Sequence, residues 1–262
     1  ICAIIQMNMK IIISPAKKID NSKNKKNIDF SNSFFLDRSR ELVEILQGFS
    51  PTELSKLMGI SNNLGLLNAD RYINWSLPFN QGNAKQAILT FKGDVYQAID
   101  VDDFDKKDFD FAQKNLRILS GLYGILKPLD LMQSYRLEMG AKLKTDKGNN
   151  LYHFWGDNLT EYLTKEIVRD KDTYLVNLAS NEYSKALKFK KLEVPIITPI
   201  FKDFKNGQLK IISFFAKKAR GRMCRFIIKN KLTSSNALRE FKADGYAFDE
   251  KLSTDSKFVF VR

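Results

Sequence analysis

Two short runs, far apart in the chain, constrain the fold more than any other feature. The first, Lys10 to Ser14, carries Ile11-Ile12-Ile13 and breaks off at Ser14-Pro15-Ala16-Lys17-Lys18. The second, Thr173 to Leu178, is β-rich, carries Asn177 and gives way to Ala179-Ser180-Asn181-Glu182-Tyr183, with Ser180 placed as a helix N-cap. Runs this short and apolar read as buried strands. Open α/β sheets gather ligands where the carboxyl ends of strands meet the starts of helices. Ser14, Asn177 and Ser180 are therefore candidate pocket residues.

The remaining pattern is mixed. Apolar positions Leu42, Val43, Ile45 and Leu46 follow a helical period after a polar stretch, Asn21 to Asn32, that reads as a loop. Ser50-Pro51-Thr52-Glu53 supplies an N-cap, a proline at the first helical position and an acid at the dipole's positive end. Helices are predicted through Leu57, over Ser61–Trp75, Lys106–Leu116, His153–Val168 and Ala216–Asn230, so the middle of the chain reads as mostly helical. A buried strand is predicted at Ala87–Phe91. Asn206-Gly207, the strongest hairpin signal, separates strands Pro195–Phe204 and Gln208–Phe215, and short strands occupy Tyr246–Val261. Phe201, Phe204 and Phe215, interleaved with Lys202, Lys205 and Lys210, have two readings: exposed rings that stack on bases, or core residues. The second is favoured because strand alternation sends every second side chain inward. The fold class is α+β or mixed α/β: one compact domain over residues 9–262 with a central mixed sheet. Residues 1–8 read as an N-terminal extension outside it.

The net charge of +13 is unevenly spread. Lys185 to Lys231 holds 14 basic residues against Glu193 and Asp203 alone. Compositional bias would spread the excess; clustering is the footprint of a polyanion partner. On the predicted helix Ala216–Asn230, Ala216, Ala219, Met223, Phe226 and Ile227 form an apolar stripe, while Lys218, Arg222, Arg225 and Lys229 form a second, basic one. Lys217 and Arg220 widen the basic side. A row of this kind neutralises successive phosphates. The competing reading is a solvated basic face with no partner.

Two further segments could carry chemistry. Leu119-Ser120-Gly121-Leu122-Tyr123-Gly124 lies between predicted helices and resembles the turn of a helix-hairpin-helix element, with Gly121 and Gly124 offering backbone N–H groups to a phosphate. That turn usually has one residue between its glycines rather than two, and a glycine C-cap is the plain alternative. In Tyr135-Arg136-Leu137-Glu138-Met139-Gly140, Arg136 and Glu138 alternate with apolar residues and face one way. Such a pair is a structural salt bridge, or an anion clamp with a general acid/base. His153, the single histidine, reads as a packed ring among aromatics. Two distant cysteines, Cys2 and Cys224, and no His/Cys cluster exclude a structural zinc site, and no metal or cofactor is expected. No apolar run reaches membrane-spanning length, and no signal peptide is read at the start.

Together these segments resemble the peroxide-stress YaaA family. The resemblance runs from Met9 to the C-terminus. It rests on Ile13-Ser14-Pro15-Ala16-Lys17, Phe91-Lys92-Gly93-Asp94-Val95-Tyr96, Leu119 through Leu131, Tyr135 to Gly140, Phe154-Trp155-Gly156-Asp157, Asn177-Leu178-Ala179-Ser180 and Ala216 to Gly221. Lys18 and Asn181 stand where relatives often have Thr and Asp. The resemblance implies a cytoplasmic protein that limits iron-dependent peroxide damage; a monomer is expected. It also implies a basic cleft, a helix-hairpin-helix-like element and binding to double- or single-stranded DNA.

Two functions follow as expectations. The first is a non-enzymatic DNA-binding protein that contacts phosphates through Lys17, Lys18, Gly121, Gly124, Arg136, Lys217, Lys218, Arg220, Arg222, Arg225 and Lys229. The second is an enzyme acting on a nucleobase or nucleotide, glycosylase-like or lyase-like. Its catalytic candidates are Glu138, Arg136 and Lys17, in a pocket with Ser14, Tyr135, Asn177 and Ser180.

Overall fold

A computed structural model describes residues 8–22 and 28–262. The predicted extension lies outside the described residues except for Asn8, which opens the first strand. That strand, β1 (Asn8–Ile13), is buried from Met9 onward because both of its faces are covered. It sits at the middle of an eight-stranded sheet. The other strands are β2 (Leu116–Ser120), β3 (Gly124–Leu126), β4 (Asp172–Asn177), β5 (Ile196–Lys205), β6 (Gln208–Lys210), β7 (Ala247–Thr254) and β8 (Lys257–Val261). Their order is β7-β8-β5-β4-β1-β2-β3, with β6 paired to β5. β1 is parallel to both β2 and β4, β5 to both β4 and β8, and the hairpins β2–β3, β5–β6 and β7–β8 are antiparallel. The sheet is mixed, as the sequence predicts.

Helices pack on this sheet. α1 (Leu36–Gln47), α2 (Pro51–Met58) and α3 (Asn62–Ile73) come first. α2 starts with a reciprocal capping box between Ser50 and Glu53 and stops at Gly59, whose φ of 59° is left-handed. α4 (Asp94–Ile99) and α5 (Lys106–Asn115) precede β2. The predicted helix from His153 to Val168 is two: α6 (Leu151–Trp155) and α7 (Asn158–Asp170), broken at Gly156. α8 (Asn181–Ser184) is short, and α9 (Ser213–Lys229) is the longest. α9 buries Ala216, Ala219, Met223 and Ile227, as its apolar stripe predicts, with Phe226 only half-buried. It crosses α4 closely: a Cβ on Gly221 would lie 2.2 Å from the Val95 carbonyl oxygen.

Other predictions are corrected. Leu119–Gly124 does not join two helices. It is the tip of the β2–β3 hairpin, with Ser120 paired to Gly124. The Ser120 Oγ accepts from the Tyr123 N–H at 2.9 Å and meets the Tyr135 hydroxyl at 2.6 Å. Both glycines face packed protein. A Cβ on Gly121 would lie 2.2 Å from the Leu137 oxygen, and one on Gly124 would lie 2.8 Å from Leu159. Buried β2 and this hydroxyl network override the helical reading of the middle region. Ala87–Thr90 is a turn of helix, not a strand. The strand after Asn206-Gly207 ends at Lys210, because α9 starts at Ser213. Phe201 is buried, but Phe204 is 68% exposed and Phe215 37%. Phe204 lies in the β5–β6 hairpin, past the last β5–β8 pair, Lys202–Val261. His153 is exposed rather than packed.

Buried ions brace the amino end of the sheet. Lys10, fully buried, contacts Asp170 at 2.6 Å and Asp172 at 2.9 Å. Arg117 forms a two-pronged pair with Glu166, 2.9 Å on one prong. Asp130 accepts from the Ser31 hydroxyl at 2.6 Å and the Lys127 N–H at 2.8 Å. Burial nonetheless pushes its carboxyl up from 3.8 to about 6.

Replacing Gly221 with alanine would gain about 1 kcal/mol of helix propensity. The collision with α4 should outweigh that, for a net loss of about 1–3 kcal/mol, read by thermal melting. Asp130 adds a pH dependence. Between its ordinary value and about 6 the folded state holds the proton and the unfolded state does not, so stability falls as pH rises through that window. Urea unfolding from pH 4 to 7 should show Asp130→Asn gaining up to about 3 kcal/mol relative to the parent across the window.

Candidate functional site

The carboxyl ends of β1 and β4 open into a cavity of about 330 Å³. It lies where the chain order diverges from β1, with β2 on one side and β4 on the other, the place a parallel sheet offers a ligand. Its wall after β1 is Ser14-Pro15-Ala16-Lys17-Lys18, and its wall after β4 includes Leu178, Ser180, Glu182 and Tyr183. Lys92-Gly93-Asp94-Val95 enters from the start of α4, Tyr135-Arg136-Leu137-Glu138 from an irregular segment, and Lys217 and Arg220 from α9. Six cations and three carboxylates therefore line it.

Local hydrogen bonds fix these segments. The Ser14 Oγ accepts from the Ser180 N–H at 2.8 Å and donates to the Ser180 Oγ at 3.2 Å, tying the two strand ends together. The Tyr96 hydroxyl donates to the Ser14 carbonyl at 3.0 Å, and the Tyr72 hydroxyl to the Arg136 carbonyl at 2.6 Å. Gly93, at φ 146°, lets the backbone pass beside Ala16: a Cβ there would meet the Ala16 methyl at 3.4 Å. The alternation read in Tyr135 to Met139 holds without a strand. Tyr135, Leu137 and Met139 are buried, while Arg136 and Glu138 face the cavity.

Charges in the cavity divide into two groups. Glu138 lies between two cations, 3.3 Å from Lys17 Nζ and 3.0 Å from an Arg136 guanidinium nitrogen. Glu182 accepts the Gly140 N–H at 3.1 Å. Lys92 is 3.7 Å from Asp20. Lys18, Lys217 and Arg220 form no ion pair among the described residues. Arg220 is half-buried, and burial alone pushes its pKa below the usual guanidinium range. Its desolvation is offset by no acid within ion-pair distance among the described residues.

The basic stripe of α9 has a different fate. Lys218 and Arg222 lie 3.7 and 3.8 Å from Asp244. Arg225 pairs with Asp103 and donates to the Ile99 carbonyl at 2.9 Å. Lys229 reaches Asp108 at 2.9 Å, and Lys231 pairs with the same carboxylate. Burial works to raise Asp108, but the hydrogen bonds from Lys231 and Lys229 prevail and hold it near 2. The row is thus fastened to the protein's own acids, and only Lys217 and Arg220 of α9 turn to the cavity.

Of the predicted site residues, the cavity gathers Ser14, Lys17, Lys18, Tyr135, Arg136, Glu138, Ser180, Lys217 and Arg220. Asn177 does not line it. Its amide accepts the Ala179 N–H at 3.1 Å and donates to Thr198 at 3.4 Å, closing the end of β4. Gly121 and Gly124 lie in the packed hairpin. Sequence reasoning assigned no role to Lys92, Asp94, Glu182 or Tyr183. An apolar run ending at Gly93-Asp94 before a helix was the available signal for the first two.

Among the described residues no group of three or more His, Cys, Asp or Glu side chains could hold a metal ion. Cys224 is buried in α9, and burial pushes its thiol up to about 12, so it holds little thiolate for peroxide to attack. No helix of the described residues is long and apolar enough to cross a membrane.

Comparison with known proteins adds three findings. The family described as peroxide stress protein YaaA matches residues 9–252. A UPF0246 protein of Colwellia psychrerythraea is 53% identical over 254 residues, covering 97% of this chain and 99% of that protein. A UPF0246 protein of Teredinibacter turnerae is 51% identical over 254 residues, with the same coverage of both.

The division of α9 makes a prediction. Arg225→Ala removes a charged anchor to Asp103 and to backbone carbonyls, and should cost about 1–2 kcal/mol in chemical denaturation. Lys217→Ala, with no such anchor, should stay within about 0.5 kcal/mol of the parent.

Proposed function

The chain belongs to the peroxide stress protein YaaA family, and on that premise we propose that it acts in the peroxide response by binding nucleic acid across the cationic cavity. The carrying observation is Arg220 with Lys217 and Lys18: cations at one opening, without carboxylate partners among the described residues. Six cations against three carboxylates favour a phosphate backbone over a neutral ligand. On this reading the protein is cytoplasmic, takes DNA in either strandedness with little sequence preference, and acts as a monomer. It limits iron-dependent damage at the DNA.

A second feature supports the same reading. α2 and α3 pack on each other and are joined by Gly59-Ile60-Ser61, with Gly59 left-handed and Ser61 capping α3 through the Leu64 N–H. A Cβ on Gly65 would lie 2.4 Å from the Pro51 carbonyl oxygen, so the two helices cross closely. We read this pair, rather than residues 119–124, as the candidate for the helix-hairpin-helix-like element.

A catalytic reading rests on one different observation. Glu138 is held by Lys17 and Arg136 on the cavity wall, within reach of a small substrate, as a general acid/base would be. In cells, Glu138→Gln should keep full peroxide protection if the protein only binds, and lose it with DNA affinity intact if Glu138 does chemistry.

Fluorescence anisotropy with a labelled oligonucleotide at several salt concentrations tests the binding reading. Affinity should fall steeply with salt. Lys217→Ala should lower the slope of log K against log salt by about 0.9 for each phosphate left without its cation. An unchanged slope and affinity in a Lys18, Lys217, Arg220 triple alanine variant would place the DNA on another surface.

A further inference from the structure

The cavity is too small for a nucleic-acid duplex. At about 330 Å³ it lies at the small end of sites for a single organic ligand, and a base can enter such a pocket from a strand only by leaving the stack. Its lining combines cations, carboxylates and apolar side chains. Lys217 and Arg220 stand three residues apart on α9, on one helical face, and both open into it. Arg220 is half-buried with no acid to offset its charge among the described residues. Glu138, which also lines the cavity, presents a carboxylate held by Lys17 and Arg136. Pro15, Val95 and Leu178 add apolar wall. Cations for a phosphate, an apolar wall for a ring and a carboxylate acceptor for ring N–H groups are what one nucleotide unit needs.

We propose that this cavity is a mononucleotide site, with the phosphate held by Lys217 and Arg220 and the base lying along Pro15, Val95 and Leu178 toward Glu138. A free nucleotide and one extruded from a strand present the same chemistry there. The extruded case rests on the nucleic-acid reading above; the free case does not.

Isothermal titration of the full chain with the four common nucleoside 5′-monophosphates, their nucleosides and inorganic phosphate tests it. At least one monophosphate should bind one-to-one, tenfold or more tighter than its nucleoside and than inorganic phosphate. Arg220→Ala and Lys217→Ala should each weaken that binding tenfold or more. Lys165→Ala, a surface change on α7, should leave it unchanged. Lys217 is exposed, so its variant keeps the test valid if Arg220→Ala fails to fold. A duplex carrying 2-aminopurine at a mismatch separates the two sources. A fluorescence rise on binding, abolished in the Lys217 variant, assigns the cavity to an extruded nucleotide; monophosphate binding without that rise assigns it to the free one. Inorganic phosphate binding as tightly as every monophosphate overturns the inference. So does a protein that binds DNA yet shows neither monophosphate binding nor a fluorescence rise, an outcome that leaves the cationic-surface reading standing. Monophosphate binding by a protein that ignores DNA sinks that reading and keeps this one.

Discussion

The parallel pairing of β1 on both sides is the constraint from which the rest of the molecule follows. A strand hydrogen-bonded to β2 and β4, and buried from Met9 to Ile13, has little freedom in register or direction. Its carboxyl end must therefore emerge beside that of β4. The Ser14–Ser180 hydrogen bonds convert that coincidence into a fixed floor. Everything that lines the cavity is brought to this seam: α4 by Gly93 against Ala16, the Arg136–Glu138 segment by Tyr72, and α9 by its packing on α4. At the opposite end of β1, Lys10 and its two aspartates occupy what would otherwise be a costly buried charge.

Charge clustering in the sequence and charge availability in space turn out to be different quantities. The excess in the last third of the chain is real, yet much of the α9 row is met by Asp103, Asp108 and Asp244. Those acids lie outside the basic segment, two of them more than a hundred residues upstream. Of the cations that line the cavity, Lys18, Lys217 and Arg220 are the ones left without an ion pair among the described residues. The unpaired cationic surface is thus smaller and more enclosed than a basic helix face alone would suggest.

Much of this was legible in the residues. The β1 and β4 runs, the Ser50–Glu53 cap, the Asn206-Gly207 hairpin and the α9 apolar stripe are local patterns, and local physics set them. Ser14, Lys17, Arg136, Glu138 and Ser180 were found because they follow strand ends or alternate with apolar neighbours. What escaped depends on distant contacts. The Gly121–Gly124 turn looks like a helix cap until Tyr135, Trp155 and Leu137 are packed around it. Asp94 reaches the cavity because Gly93 carries the start of α4 past Ala16. Phe204 lies three residues after Phe201, so the period of two that turns Phe201 and Asp203 inward turns Phe204 outward.

The paired side of α9 also sets its rotation. Arg225 and Lys229 are latched to Asp103 and Asp108, while Lys217 and Arg220, two turns earlier, look into the cavity. Each residue advances an α-helix by about 100°, so the latch works like an index pin on a shaft. Lengthening or shortening the helix by one residue between positions 220 and 225 would force a choice between holding the latch and aiming the cations. The spacing between those two sets is therefore as much a part of the site as the side chains themselves.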